Sequence, residues 1–129
     1  MERTYTCIVC PRGCRVTVRD DGGSVTSEGY GCRRGREYAE AEHANPVRTI
    51  TTTVALAGAR ARRLPVVGTA PVPKAMLLPC LREVYRARVS APVRQGDVVV
   101  ADVLGTGVDV VAAASAEACD AARSRSLRV

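Results

Sequence analysis

The amino-acid sequence predicts an α+β protein in which a small cysteine-rich lobe precedes a small mixed or antiparallel sheet covered by a helix. Four of the six cysteines fall within the first 32 residues. Short β-branched segments alternate with turn residues along much of the chain, and two stretches have helical composition or spacing. We assign residues 1–45 to the cysteine-rich lobe, residues 46–114 to the α+β lobe and residues 115–129 to a C-terminal tail.

In the N-terminal lobe, a predicted β-hairpin and a predicted helix surround the fourth cysteine. Residues 14–28 alternate apolar and polar side chains around the turn sequence Asp20-Asp21-Gly22-Gly23. Residues 34–44 are rich in Ala, Glu and Arg and predict a helix that ends before Asn45-Pro46. The hairpin would bring Cys32 back beside the earlier cysteines. The partial positive charge of the helix N-terminus would then stabilise a nearby anionic group.

The second lobe is predicted to contain a small sheet and one covering helix. Apolar positions recur at helical spacing over residues 74–88, where Pro79 should bend or delay the helix. We predict strands at residues 47–56, 64–67, 98–104 and 108–113, the third of them buried. The tail is expected to begin as a helix at residue 115 and to fray over residues 124–129.

The composition limits the classes of function. Aromatic residues make up 3% of the chain, with no Phe or Trp, which disfavours a stacking platform for single-stranded nucleic acid. No apolar run is long enough to span a bilayer and the polar start does not resemble a secretory signal, so we expect a cytoplasmic protein. The net charge of +6 permits an anionic partner without identifying one. With one histidine, the chain is poorly equipped for acid–base catalysis alone.

The cysteine spacing points to a metal centre. Cys7, Cys10 and Cys14 form a C-x2-C-x3-C loop and Cys32 is remote, a pattern typical of 4Fe–4S ligands. A structural zinc site is the alternative, although zinc usually takes two C-x2-C pairs and the second pair is missing. A thiol–disulfide pair at Cys7 and Cys10 is a third possibility, but it leaves the other two cysteines unexplained.

Other residues with functional chemistry are less specific. Three arginines crowd the fourth cysteine, where they would dock an anionic partner or raise a cluster's reduction potential, unless they are simply exposed: Arg33, Arg34 and Arg36. His43 is expected to interact with the C-terminal end of its helix. Cys80 and Cys119 are expected to be ordinary residues without a ligand role.

The N-terminal lobe resembles the 4Fe–4S domain of molybdopterin oxidoreductases such as formate dehydrogenases and nitrate reductases. The three-cysteine loop, the hairpin and the closing segment Tyr30-Gly31-Cys32-Arg33-Arg34-Gly35 carry this resemblance. In that family a lysine at the position of Arg34 helps to relay electrons between cluster and pterin. The large pterin-binding domains have no counterpart here, so the resemblance implies a cluster without a molybdenum site.

A second resemblance covers residues 5–113 and concerns a small bacterial and archaeal family labelled a domain of unknown function. Its members begin C-x2-C-P-x-G-C, continue C-x-R-G-x-x-Y-A and end with a segment like Gly105-Thr106-Gly107-Val108-Asp109. The matching positions are Cys7, Cys10, Pro11, Gly13, Cys14, Cys32, Arg34, Gly35, Tyr38, Ala39, Pro46, Arg48, Pro73 and Lys74.

Members of that family are typically encoded beside FAD-dependent oxidoreductases of the glycerol-3-phosphate dehydrogenase type. The resemblance therefore implies an accessory electron-transfer subunit that exchanges electrons with such a flavoprotein. The resulting prediction is an iron–sulfur accessory subunit of an FAD-dependent oxidoreductase. The alternative is a zinc-stabilised basic module that binds nucleic acid or protein.

Overall fold

The computed structural model describes residues 1–119, and the chain divides into two compact units, Met1–Val47 and a second that begins at Arg48. The predicted α+β class is confirmed, with two helices of eight or more residues and ten short strands within the described residues. The helices are α1 (Arg33–Ala44) and α2 (Leu77–Val84). The strands are β1 (Glu2–Thr6), β2 (Arg15–Asp20), β3 (Val25–Glu28), β4 (Val47–Arg48), β5 (Thr51–Ala57), β6 (Arg63–Gly68), β7 (Val72–Pro73), β8 (Arg88–Ser90), β9 (Val98–Val100) and β10 (Val110–Ala112).

The first unit contains a three-stranded antiparallel sheet in the order β1-β2-β3. The predicted hairpin is confirmed as β2 and β3. Strand β1 was not predicted, because its polar sequence lacks an apolar face. Strand β1 forms the edge of the sheet, and its Tyr5 pairs with Val16. Tyr5 is also the one residue of β1 that is partly buried.

Helix α1 packs on this sheet through small residues. Gly35 and Ala39 lie one turn apart and are the buried residues of the helix. Ala39 shares a small core with Cys7, Val16 and Val18. Because the buried face of α1 starts with a glycine at its N-terminal turn, this end of the helix can approach Cys7 closely.

The second unit is built on a five-stranded mixed sheet in the order β8-β5-β6-β10-β9. Strands β5 and β8 are parallel and the other neighbours are antiparallel. Alternate residues of the central strands are buried, as a sheet with one covered face requires: Val54, Leu56, Leu64, Val66 and Val110. Helix α2 adds Cys80 and Val84 to this core at i, i+4 spacing. Cys80 is therefore an ordinary core residue.

Several predicted elements have different bounds in the structure. The strand predicted at residues 47–56 is divided into β4 and β5, and the strand predicted at residues 108–113 is limited to β10. The predicted strand at residues 98–104 ends at Val100, and it is not fully buried, since Val98 is 56% exposed on the edge strand β9. Asp102 and Leu104 then have φ values of +44° and +48°, a left-handed conformation that cannot continue a strand. A 3-10 turn at Val103–Gly105 takes the place of the strand end.

The predicted helix at residues 74–88 begins with a 3-10 turn, Lys74–Met76, before α2. Pro79 is the third residue of α2, where a backbone amide has no partner within the helix, so the proline does not break it. The helix ends at Val84, and Arg88–Ser90 forms β8 instead.

The start of the tail also differs from the prediction. Over residues 115–119 there is no helix, because Ala116 forms an antiparallel bridge with Val93. The Val93 amide donates to the Ala116 carbonyl at 3.0 Å, and the Ala116 amide donates in return at 2.9 Å. The remaining prediction, fraying over residues 124–129, lies outside the described residues. None of the helices in residues 1–119 has the length and apolar character needed to cross a membrane.

Candidate functional site

A closed loop holds the first three cysteines. The Cys7 amide donates to the Cys14 carbonyl at 2.8 Å, which joins the two ends of the loop. Gly13 has a φ of +66°, a left-handed value that glycine adopts without steric cost. Gly13 therefore provides a turn in the loop. An added Cβ at Gly13 would meet no atom within 4 Å, so close packing does not explain this glycine.

The structure brings the four predicted ligands to one cavity of about 190 Å³, here called the cysteine cavity. It lies within the first unit, and its described lining residues are Cys7, Cys10, Arg12, Cys14, Gly31, Cys32, Arg34 and Gly35. Cys7 is buried, whereas Cys32 is exposed, so the cavity extends from the small core to the surface. The hairpin therefore does what the sequence analysis predicted, returning the fourth cysteine to the loop.

Two glycines leave the space in which the sulfurs lie. A Cβ added at Gly31 would be 3.0 Å from Sγ of Cys14 and 3.0 Å from Nη1 of Arg12. A Cβ added at Gly35 would be 3.3 Å from Sγ of Cys7. Gly35 therefore allows a close approach of α1 to Cys7. Gly31 has the tighter contact, although the sequence analysis gave it no role of its own.

Cys32 stands at the N-terminal end of α1, where helix geometry stabilises its thiolate. It is the N-cap residue, and its side chain makes no capping hydrogen bond. The Gly35 amide donates to the Cys32 carbonyl at 3.1 Å. The pKa of Cys32 is nevertheless lowered, first by the Gly35 amide and then by the Arg34 amide, with a smaller contribution from the Arg34 guanidinium. Desolvation opposes this shift. The thiolate is therefore the favoured ligand form at this position.

The three predicted arginines occupy two different places. Arg34 lines the cysteine cavity, whereas Arg33 and Arg36 line a separate cavity of about 260 Å³ together with Glu37 and Glu40. Nε of Arg33 is 2.8 Å from Glu37, and Nε of Arg36 is 3.1 Å from Glu40. These two positive charges are therefore paired along their own helix.

Arg12 is a cavity residue that the sequence analysis missed. It lies in the loop between the second and third cysteines and lines the cysteine cavity opposite Gly31. Its position between Cys10 and Cys14 was the available signal, because any residue inside so short a ligand loop must stay close to the sulfurs.

His43 does not interact with the C-terminal end of α1 as predicted. Its Nδ1 is 3.0 Å from the Tyr5 hydroxyl, and its Nε2 is 3.6 Å from Oδ2 of Asp20. The backbone amide of Asn45 instead donates to the Ala41 carbonyl at the helix end. His43 thus connects α1 to strands β1 and β2 and is not part of the cysteine cavity.

The side chains around the cavity do not converge on a single point. Among residues 1–119, no three His, Cys, Asp or Glu side chains are grouped in a way that could hold a metal ion. The four thiols instead stand around the cavity, together with two arginines and two glycines.

Comparison with known proteins identifies a family but no established activity. Residues 33–114 match the family model described as a protein of unknown function, DUF1667. The match begins one residue after Cys32, so the four cysteines precede it. A search of curated proteins finds no match.

A Clostridium perfringens protein determined by NMR is similar in structure, with a TM-score of 0.52 and 23% sequence identity. The similarity covers 57% of this chain and 88% of that one, and at this identity it concerns the fold alone. The family match spans well over half of the sequence, although it covers only residues 33–47 of the first unit. The chain therefore belongs to the DUF1667 family of proteins of unknown function.

Proposed function

We propose that this protein is an electron-transfer accessory subunit that holds a 4Fe–4S cluster through Cys7, Cys10, Cys14 and Cys32. The observation that carries the proposal is that these four thiols, and neither of the other two cysteines, line a single cavity. Sulfur ligands in the C-x2-C-x3-C arrangement with one remote cysteine suit this cluster.

The electrostatics of the cavity fit an anionic sulfur-bound group. Helix α1 directs its N-terminal end at Cys32 and has no acidic residue in its first turn. The N-terminal end of a helix carries a partial positive charge and favours negative groups. The arginines in the first turn of α1 make the electrostatic potential at this end still more positive. Arg12 and Arg34 add guanidinium groups at the cavity itself. Positive charge concentrated in this way stabilises thiolates and the cluster that they would hold.

The size of the cavity favours a cluster over a single zinc ion. A structural zinc draws four ligands to one centre at about 2.0–2.3 Å, and the cysteine sulfurs stand around a cavity of about 190 Å³. Gly31 and Gly35 keep side-chain atoms out of that space, since a Cβ at either position would lie close to a cysteine sulfur. An iron–sulfur cluster, which is larger than one ion, would therefore fill this space better than zinc.

The residues that line the cavity also support a role as an accessory subunit of a partner enzyme. When bound, a 4Fe–4S cluster supplies one-electron transfer. The described lining contains thiols, guanidinium groups and glycine backbone, with no carboxylate or imidazole to bind and protonate an organic substrate. The substrate chemistry would therefore belong to a partner, for which we propose an FAD-dependent dehydrogenase of the glycerol-3-phosphate dehydrogenase type.

Anaerobic purification tests the proposal directly. We expect a brown protein with iron and sulfide, broad absorbance near ~400 nm and bleaching by dithionite. Cys14→Ser should abolish the absorbance, and Cys119→Ser is the matched control because Cys119 does not line the cavity. A colourless protein with one zinc per chain would overturn the cluster assignment. Equal loss of colour in both variants would show that the cysteine cavity is not the site.

A further inference from the structure

We propose that the surface around the cysteine cavity docks a protein partner whose own contact surface is acidic around an apolar centre. This inference rests on the proposed function and specifies the chemistry of its partner. The surface, here called the docking rim, consists of Ile8, Val9, Arg12, Tyr30 and Arg34.

The docking rim has an exposed apolar part. Ile8 is 73% exposed and Val9 is 41% exposed, and both lie between the ligand positions Cys7 and Cys10. Tyr30 is 40% exposed, and its Cβ is within 3.8 Å of the position where a Cβ at Gly35 would lie. Isolated exposed apolar residues need no explanation, but three beside one functional cavity indicate a contact surface. A partner that covered them would also exclude water from the cavity mouth.

The charged side chains of the docking rim are two arginines. Arg12 and Arg34 line the cavity, and the described lining includes no acidic residue. Arg33 and Arg36 differ, because each already pairs with a glutamate one helical turn away. The structure thus separates two arginines at the cavity, where Arg34 interacts with the Cys32 thiol and not with a carboxylate, from two that are paired with glutamates along the helix.

This combination fits an acidic protein better than a nucleic acid. A phosphate backbone would use the guanidinium groups but would leave Ile8 and Val9 without an apolar partner. A protein interface commonly combines apolar contacts at its centre with charged groups at its rim. Complementary charge also accelerates encounter and sets orientation, as a transient electron-transfer complex requires. Cys32, the exposed cysteine of the four, also lines the cavity.

The test measures binding and does not depend on electron transfer. Oxidised flavodoxin, an acidic flavoprotein, serves as the probe, and the basic protein cytochrome c serves as its counterpart in calorimetric titrations at low and high salt. We expect flavodoxin to bind at low salt and to dissociate as salt rises, whereas cytochrome c should not bind. Arg12→Gln should weaken flavodoxin binding roughly two- to fivefold.

Arg33→Gln is the matched control, because it removes the same charge from an arginine outside the cavity and should change binding less than twofold. Ile8→Ser tests the apolar part and should weaken binding roughly three- to tenfold without changing the salt dependence. Iron content confirms that each variant retains its cluster.

The outcomes separate this inference from the proposed function. If the protein holds a cluster but Arg33→Gln weakens binding as much as Arg12→Gln, the docking rim is wrong and the cluster assignment stands. Binding to cytochrome c, or to a single-stranded oligonucleotide in preference to flavodoxin, would overturn the acidic partner in the same way. A protein without iron in the titrated sample would instead overturn the proposed function.

Discussion

Gly31 and Cys14 are so placed that a Cβ at residue 31 would lie 3.0 Å from the Cys14 sulfur. Real Cβ atoms are rarely so close to a neighbour. The same Cβ would also lie 3.0 Å from Nη1 of Arg12, but the end of a flexible arginine can move away. A sulfur bound to the proposed cluster could not move in this way. A glycine at residue 31 is therefore what the proposed cluster would require.

Gly31→Ala should accordingly reduce cluster binding more than folding. We expect less iron per chain after anaerobic reconstitution and faster loss of the ~400 nm absorbance in air. Gly23→Ala is the matched control, because a Cβ there would meet no atom within 4 Å. Circular dichroism of both metal-free variants should match that of the unchanged protein. Equal iron content in the two variants would contradict a role for Gly31 in the cavity.

The pKa of Cys32 gives a prediction for the metal-free protein. Because backbone amides and the Arg34 guanidinium stabilise the thiolate, its pKa lies below the ordinary value, and the reactive form persists to lower pH. Burial raises the pKa of Cys80 and also blocks access to it. As pH rises, iodoacetamide should therefore modify Cys32 early and Cys80 only after unfolding, as measured by peptide mass spectrometry.

Arg34→Ala distinguishes the causes of this shift. The Gly35 amide is its largest cause and would remain in the variant. The midpoint of Cys32 alkylation should therefore move to higher pH but stay below that of an unstructured cysteine. A midpoint equal to that of an unstructured cysteine would mean that the guanidinium, and not the helix N-terminus, stabilises the thiolate.

The elements with strong periodicity or turn chemistry were predictable from sequence. The hairpin follows from its alternation around residues 20–23, and α1 follows from its composition and its end at Asn45-Pro46. The cysteine spacing predicted a shared cavity because a short loop and a hairpin can bring four thiols together. Each of these signals is local, so no tertiary information was needed.

The parts that sequence did not predict depend on tertiary contacts. Strand β1 has polar residues because it is an exposed edge, and only its pairing with β2 makes it a strand. Asp102 and Leu104 interrupt a β-branched run with left-handed backbone, which aspartate sometimes adopts but leucine does not favour. The partners of His43 lie on other elements, one of them 38 residues away, and no local pattern could reveal them.

The contact between Tyr5 and His43 predicts a measurable contribution to stability. Tyr5→Phe removes the hydroxyl that lies 3.0 Å from Nδ1 of the partly buried histidine. The loss should lower the free energy of unfolding by about 1 kcal/mol, the usual net value of such a bond. Tyr85→Phe is the control, since it removes an exposed hydroxyl bond to Thr52 and should cost less. Urea denaturation of the metal-free proteins measures both, and equal losses would argue against the His43 contact.

Leu64 and Leu78 offer the sharpest test of the second unit, because the same substitution meets opposite environments. Leu64 lies on β6 with 1% of its surface exposed, whereas Leu78 lies on α2 and is 64% exposed. Leu64→Ala would remove buried methyl groups and leave a cavity in the core of the second unit, at a cost of about 2–5 kcal/mol. Leu78→Ala should change stability by roughly 0.5 kcal/mol or less, since its side chain already faces water and alanine favours the helix. Denaturant midpoints of the two variants provide the comparison. Similar values would contradict the placement of Leu64 in the core and of Leu78 on the exposed face of α2.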